Sequence, residues 1–455
     1  MTAFNDLISN VSNIVWGPPM LALIVLTGVF LTVRLRVIQL LRLGTGLRFA
    51  FGRKGRANAR QGDISPFQAL MTALAATIGT GNIVGVATAV SIGGPGALFW
   101  MWVIAFLGMA TKYSEALLAV KYRIIDSQGR MNGGPMYYIE RGMGAKWKPL
   151  AVAFAVFGAV AAFGIGNMVQ ANAVAGNIVA LVGAEGAAVS TTNWVTGFGL
   201  AGLTALVILG GIKSIARTAA VLVPFMAIFY VIGCLYIILR FAGEIPAALS
   251  LIIRDGFNGS AAAGGFAGSS MILAMRMGVA RGVFSNESGL GSASIAAAAA
   301  QTDQPAEQGL ISMMGTFIDS IVVCSLTGLA LVVTGVWTGG GAAAAAMTQA
   351  AFSHGLPGQS GGIVVGIAVI TFAYSTVIGW SYYGERCCEY LFGRRAIPFY
   401  RGLWILAIMV GAVGGLRLIW NIADVLNALM ALPNLIALIA LSGVVVAETR
   451  AYGRR

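Results

Sequence analysis

The sequence predicts an all-α polytopic membrane protein of about eleven transmembrane helices, a 5+5 inverted repeat behind one extra N-terminal helix. Three observations carry this expectation. Of 455 residues, 58% are hydrophobic and only 10% charged, whereas roughly a quarter of the residues in a soluble domain are charged. Apolar runs long enough to span a bilayer, roughly 20 residues each, recur along the whole chain. Lysine and arginine crowd into alternate loops, the bias that marks the cytoplasmic side. The 62 glycines fit the same class, because glycine lets helices approach closely in lipid and tolerates breaks in them.

Taken in order, the first span is expected near 14–33. Asp6 precedes it and arginines follow, so it reads as a retained span with its N-terminus outside. Arg34, Arg36, Arg42, Arg48, Arg53, Lys54, Arg56 and Arg60 place the next loop in the cytoplasm. Spans near 65–92 and 95–120 lead to a second basic loop with Lys121, Arg123, Arg130, Arg141, Lys146 and Lys148. Spans near 148–182, 194–211 and 218–239 follow, with Lys213 and Arg217 marking an inside turn. An outer segment carries Arg240, Glu244, Arg254 and Asp255. The remaining spans are expected near 261–278, 309–335, 363–383, 403–415 and 422–446, with the C-terminus cytoplasmic. The membrane is read as the cell (inner) membrane.

The chain divides into 1–62 (extra helix and basic cytoplasmic loop), 63–240 (first five-helix repeat), 241–308 (second broken helix and a cytoplasmic gate segment) and 309–455 (the rest of the second repeat). Each repeat opens with a glycine cluster, and five spans per block invert the second relative to the first.

The net charge of +13 is what the positive-inside bias produces, and no basic run interleaves with aromatics, so nucleic-acid binding is excluded. Cys234, Cys324, Cys387 and Cys388 show no metal-ligand spacing and no disulfide framework. No cluster of nucleophile, base or metal ligands suggests an enzyme.

The chemistry lies in polar residues within the spans. Gly79, Gly81 and Gly85 enclose Thr80 and Asn82. Unwinding there would free main-chain groups at the midplane, a half-helix N-terminus for a carboxylate and carbonyls for a cation. The bland alternative is small-residue helix packing. The partner break is expected at 264–270, where Phe266 and Gly268 would face the ligand. Asn167, Gln170 and Asn177 fall near one face of the fourth span; Gln170 either lines the pocket or joins helices. Ser375 and Thr376 offer hydroxyl oxygens to a hard cation, or bond back to their own helix. Trp380, one turn on, lines the pocket or packs. Asp319 lies near mid-membrane, where a charge is costly and either serves ion or proton coupling or holds a structural partner. Glu115, with Lys112 one turn away, reads as a local ion pair. The string 278–293 contains Ser285, Asn286 and Glu287, which would cap a helix N-terminus at the cytoplasmic edge, as an inner gate or a rigid turn. His354 is expected solvated in a glycine-rich outer loop.

At the strings 79–87, 282–292 and 379–385 the chain resembles the sodium:alanine/glycine symporter family, also called the alanine-or-glycine:cation symporters, over nearly its whole length. The resemblance implies a leucine-transporter-like fold and Na⁺-coupled symport of alanine or glycine by alternating access. It implies no cofactor beyond Na⁺, or sometimes H⁺, as coupling ion. Family-like substrate positions are Thr80, Gly81, Asn82, Gln170 and Trp380. Similarity to the wider fold puts Na⁺ on the carbonyls of Ala75 and Ile78 with Ser375 and Thr376. The rival readings are a proton-coupled carrier using Asp319, a channel, or a membrane enzyme.

Overall fold

The computed structural model describes residues 11, 15–52, 61–258, 271–338, 344–358, 360–414 and 417–453. The expected glycine-rich break at 264–270, with Phe266 and Gly268, lies outside the described residues. The helices are α1 (Pro18–Arg34), α2 (Leu43–Phe51), α3 (Pro66–Thr77), α4 (Gly81–Gly93), α5 (Gly96–Lys121), α6 (Pro135–Gly142), α7 (Ala145–Val182), α8 (Ala187–Ile208) and α9 (Gly211–Arg240). They continue as α10 (Ile245–Asn258), α11 (Met271–Asn286), α12 (Ser292–Ala298), α13 (Pro305–Val333), α14 (Ala344–Gly355), α15 (Ser360–Phe392), α16 (Arg394–Val413), α17 (Arg417–Ala440) and α18 (Ser442–Gly453). Among the described residues eight helices are long and apolar enough to cross a membrane, or nine when α3 and α4 count as one span. Helix α1, at 17 residues, is apolar but shorter.

Burial sorts these helices into layers. The most apolar window of α5 is 89% buried inside the protein, whereas those of α8, α9 and α16 are 33% buried. Helix α5 is therefore central and the other three are peripheral. On α9 the exposed side chains Val221, Phe225, Ile228, Ile232 and Leu239 recur every three to four residues, or a multiple of that. This outer stripe is what lipid contact requires, and in water it would be a large uncovered apolar face.

Among the described residues two discontinuities lie in the packed interior. Ser65 and Gln68 form a capping box that starts α3 with Pro66 in its first turn. The helix then stops at Thr77, Ile78 turns extended, and α4 resumes at a 56° angle. Helix α11 ends at Asn286, and Glu287, Gly289 and Gly291 all have positive φ before α12 begins. Two of these three positions are glycine, the residue that takes such backbone without strain.

Several expectations are corrected here. An unanticipated discontinuity falls at 287–291, and the string 278–293 is largely buried. Ser285 and Asn286 end a helix and do not cap the start of one. His354 belongs to the last turn of α14, stacked on Phe241 at 5.4 Å, where a loop was expected. The last span breaks at Leu441 between α17 and α18. The loop after α5 folds into a two-residue β-hairpin, 124–125 with 131–132, before α6.

The end of the molecule nearest this hairpin is shut. Ile64 pairs with Ala300 in a parallel bridge, and the Gln301 amide donates to the Ile64 carbonyl at 2.8 Å. The Arg123 guanidinium donates to four carbonyls: Ala298 at 3.0 Å, Ala300 at 2.7 Å, Thr302 at 2.6 Å and Gln61 at 3.0 Å. One side chain thus clasps the lead-in to α3 against the exit of α12. Removing it leaves partly buried acceptors, each costing about 1–3 kcal/mol when unpaired. Arg123→Ala is expected to lower the unfolding temperature in detergent and to raise maleimide labelling of a cysteine placed at Ser294. Unchanged labelling would show that Arg123 does not hold this end closed.

Candidate functional site

The first break is organised by one side chain. Asn82 Oδ1 accepts from the Gly79 amide at 2.9 Å. That amide would otherwise bond the Ala75 carbonyl, so Ala75 is released from the helical ladder. The Asn82 amide turns to the Gly79 carbonyl at 3.2 Å, which likewise releases Ile78. Helix α15 packs directly on this freed backbone. Ser375 Oγ donates to the Ile78 carbonyl at 3.2 Å. A Cβ built at Gly79 would stand 2.5 Å from Thr376 Oγ1, and one built at Gly379 would stand 2.7 Å from the Ala76 nitrogen. Both glycines are thus needed for this approach. Ser375 and Thr376 also bond back to the Phe372 carbonyl of their own helix, at 2.8 Å and 3.0 Å, the alternative expected for them, while lying beside the Ile78 carbonyl and Gly79; carbonyl and hydroxyl oxygens are what a hard cation takes.

Beside it Thr80 and Gly81 start α4, where no side chain caps the first turn. A Cβ at Gly81 would lie 3.4 Å from the Phe284 ring and 3.5 Å from Ser285 Cα, so the two interrupted spans approach within about one small side chain here. Gln170 comes from a stretch of α7 in which residues 162–168 form a π-helical turn, an irregularity that often marks functional positions. Its Nε2 donates to the Ile165 carbonyl at 3.0 Å, while its buried Oε1 has no partner. That oxygen would lie 3.7 Å from a Cβ at Gly79, so a free acceptor faces the break. Asn167 instead joins helices by donating to the Trp404 carbonyl at 2.8 Å.

Asp319 binds the second discontinuity to the first. Asn82 Nδ2 donates to Oδ1 at 2.7 Å; Ser285 at 2.9 Å and Ser320 at 2.7 Å donate to Oδ2. Asn286 donates to Ser320 Oγ at 3.0 Å. Glu287 accepts from Trp380 Nε1 at 2.8 Å and Ser292 Oγ at 2.5 Å. Trp380 therefore pins the second linker through its ring nitrogen, and Gly166 leaves room for its ring. Glu115 makes no ion pair with Lys112, contrary to expectation. Its Oε1 accepts from the amides of Gly289 at 2.9 Å and Gly291 at 3.2 Å and from Asn434 Nδ2 at 2.7 Å. The linker amides outcompete the neighbouring ammonium because they have no helical partners of their own.

A cavity of about 550 Å³ leads to this region from the end opposite Arg123. Thr80, Gly81, Asn177, Arg281, Phe284 and Gln349 are among its lining residues. Sequence reasoning missed Ser285 and Ser320 as Asp319 partners, Asn434 as a ligand of Glu115, and Arg281 and Phe284 as cavity walls. Ser320 adjoins Asp319, so polar pairing within a span was a usable signal. Asn434 follows Pro433 in an apolar run, but nothing local links it to Glu115, 319 residues away.

The family model described as the sodium:alanine symporter family matches residues 1–455. The sodium/alanine symporter AgcS of Methanococcus maripaludis is 53% identical over 454 residues, covering 99% of this chain and 97% of that protein. The probable sodium/glutamine symporter GlnT of Bacillus subtilis is 35% identical, covering 98% and 90%. Among solved structures, MhsT in complex with L-phenylalanine superposes with a TM-score of 0.60 at 15% identity, covering 86% of this chain and 93% of that one. At that identity the likeness speaks for the fold alone, and the fold is leucine-transporter-like. An integral membrane carrier built on two interrupted spans, matched by the family model from end to end, is a Na⁺-coupled amino-acid symporter and no enzyme: this chain belongs to the sodium:alanine symporter family.

Proposed function

We propose that the chain carries alanine, and glycine as a second substrate, into the cell together with Na⁺. The observation that carries this reading is the close approach of Phe284 and Ser285 to Gly81, where a single carbon built on the glycine would already touch both, so the wall beside residues 80–82 admits little bulk. The 53% identity to a sodium/alanine symporter supports it. In this reading Na⁺ sits on the released carbonyls of Ala75 and Ile78 with Ser375 and Thr376. The amino acid lies between the breaks. Its carboxylate meets the first turn of α4 at Thr80, Gly81 and Asn82, since a helix N-terminus attracts an anion. Its ammonium meets Gln170 Oε1, and Trp380 closes the side-chain end. Phe266 and Gly268 keep their expected place as further ligand-facing residues. Asp319, Asn286 and Glu287 couple the breaks, so that filling one biases the other.

Asn82, Ser285 and Ser320 engage both oxygens of the Asp319 side chain at once, and this favours a holding role over proton carriage, the rival reading. The basic end, clasped by Arg123, is the cytoplasmic face of the cell membrane, with the N-terminus outside and the C-terminus inside. Residues 63–240 and the segments 241–308 and 309–455 move as two inverted repeats, with 1–62 outside the repeat. No cofactor is required beyond the two transported solutes and the bilayer.

In liposomes an inward Na⁺ gradient is expected to drive radiolabelled alanine accumulation that excess glycine suppresses and phenylalanine does not. Accumulation driven equally by a proton gradient without Na⁺ would remove the Na⁺ reading; suppression by glutamine alone would move the substrate. Thr376→Val removes one oxygen and is expected to raise the half-saturating Na⁺ concentration about tenfold, the size of one lost hydrogen-bonding group. The amino-acid KM at saturating Na⁺ should stay within threefold. An unchanged Na⁺ requirement would place the ion elsewhere. Gln170→Leu should instead raise the alanine KM about tenfold and leave Na⁺ half-saturation alone, and equal shifts in both would argue for a structural role.

A further inference from the structure

Lys112 stands midway along α5, 3% exposed, and its ammonium has no hydrogen-bond partner. A buried charge without a partner is costly and calls for a reason. It faces a recess of about 10 Å³ lined by Thr77 of α3, Ser294 of α12, and Ser312 of α13, room for about one water. Thr77 ends α3, and the C-terminal end of a helix favours a cation. The ammonium therefore lies between the end of α3 and the start of α12. Its field reaches three buried carboxylates, Glu115, Glu287 and Asp319. Each of these is occupied by other donors, on the linker amides, on Trp380 and Ser292, and on Asn82, Ser285 and Ser320. The ammonium shares this interior with the three carboxyl groups and opposes the pull that they exert on a cation that enters.

We infer that Lys112 is a positioning residue for the coupling ion: a fixed positive charge that weakens Na⁺ binding enough for release toward the Arg123 end. Charges in a water-poor interior act well beyond contact distance, so the ammonium lowers cation affinity without touching the ion. A transported ion must bind tightly enough to enter and weakly enough to leave. Lys112 stands on α5 beside the end of α3 and the start of α12. The inference rests on Na⁺ being the coupling ion and not on which oxygens hold it.

The test uses Lys112→Met, Lys112→Gln and Lys112→Arg in the full chain, with ²²Na⁺ binding in detergent and Na⁺-dependent alanine uptake in liposomes. Both neutral variants are expected to bind Na⁺ about tenfold more tightly and to transport more slowly at saturating Na⁺. Lys112→Arg keeps the charge and should retain wild-type affinity. Neutral variants with wild-type or weaker Na⁺ affinity overturn the inference, as does failure of both to yield monodisperse protein, which would make the role structural. A wild type that binds no Na⁺ would bring down the coupling itself, an outcome separate from these.

Discussion

No main-chain amide or carbonyl can turn to water inside a bilayer, so a helix can stop there only where another group takes over its hydrogen bonds. At the first interruption that group is Asn82. One end of its side chain takes the Gly79 amide and the other reaches Asp319 on α13. The Ala75 and Ile78 carbonyls lose their helical donors as a direct result. Asp319 then holds Ser285 at the end of α11, so a single polar chain runs from one interruption to the other. The second linker is satisfied separately, by Glu115 from α5 and Trp380 from α15. The breaks are over-determined, and without these partners each would revert to helix or lose its place in lipid.

This explains what was legible from the chain. The first interruption was readable because its determinants are consecutive: glycines at 79 and 81 with Thr80 and Asn82 between them announce both the bend and its polar replacement. The oxygen group on Ala75, Ile78, Ser375 and Thr376 came through similarity to the wider fold; Ser375 reaches the Ile78 carbonyl, and both hydroxyls also bond Phe372 of their own helix. The break expected at 264–270 on glycine density lies outside the described residues. The discontinuity at 287–291 was not anticipated: it is set by Glu287, Gly289 and Gly291 at positive φ, together with Glu115, 172 residues earlier than Glu287, whose role is invisible to local spacing. Glu115 and Lys112 are three residues apart on one helix, the pattern of an ion pair. Tertiary structure overrode it by offering the carboxylate two unpartnered amides, which bind it in a fixed direction that a flexible lysine cannot match. His354 was misread for a similar reason: glycines around it suggested a loop, but the alanine-rich run before it is a strong helix former.

The placement of polar contacts also separates what must stay from what must move. The groups around the breaks are buried and mutually satisfied, and breaking any one in place would strand a charge or amide in a dry interior. The contacts that shut the basic end are of another kind. Arg123 is half-buried and its bond to Gln61 is exposed, so water can replace each of its carbonyl acceptors as that end opens. The exchange of protein for water hydrogen bonds is nearly neutral there, whereas the same exchange at Asp319 is not. A carrier that alternates between two openings needs this division: a rigid dry centre that grips the solutes, and an outer clasp whose bonds water can take over. The chain follows it, with its buried carboxylates at 115, 287 and 319 and its clasping arginine at the hairpin edge. The barrier to opening is then set by how the interrupted helices repack, a term that ligand binding at the breaks is placed to change.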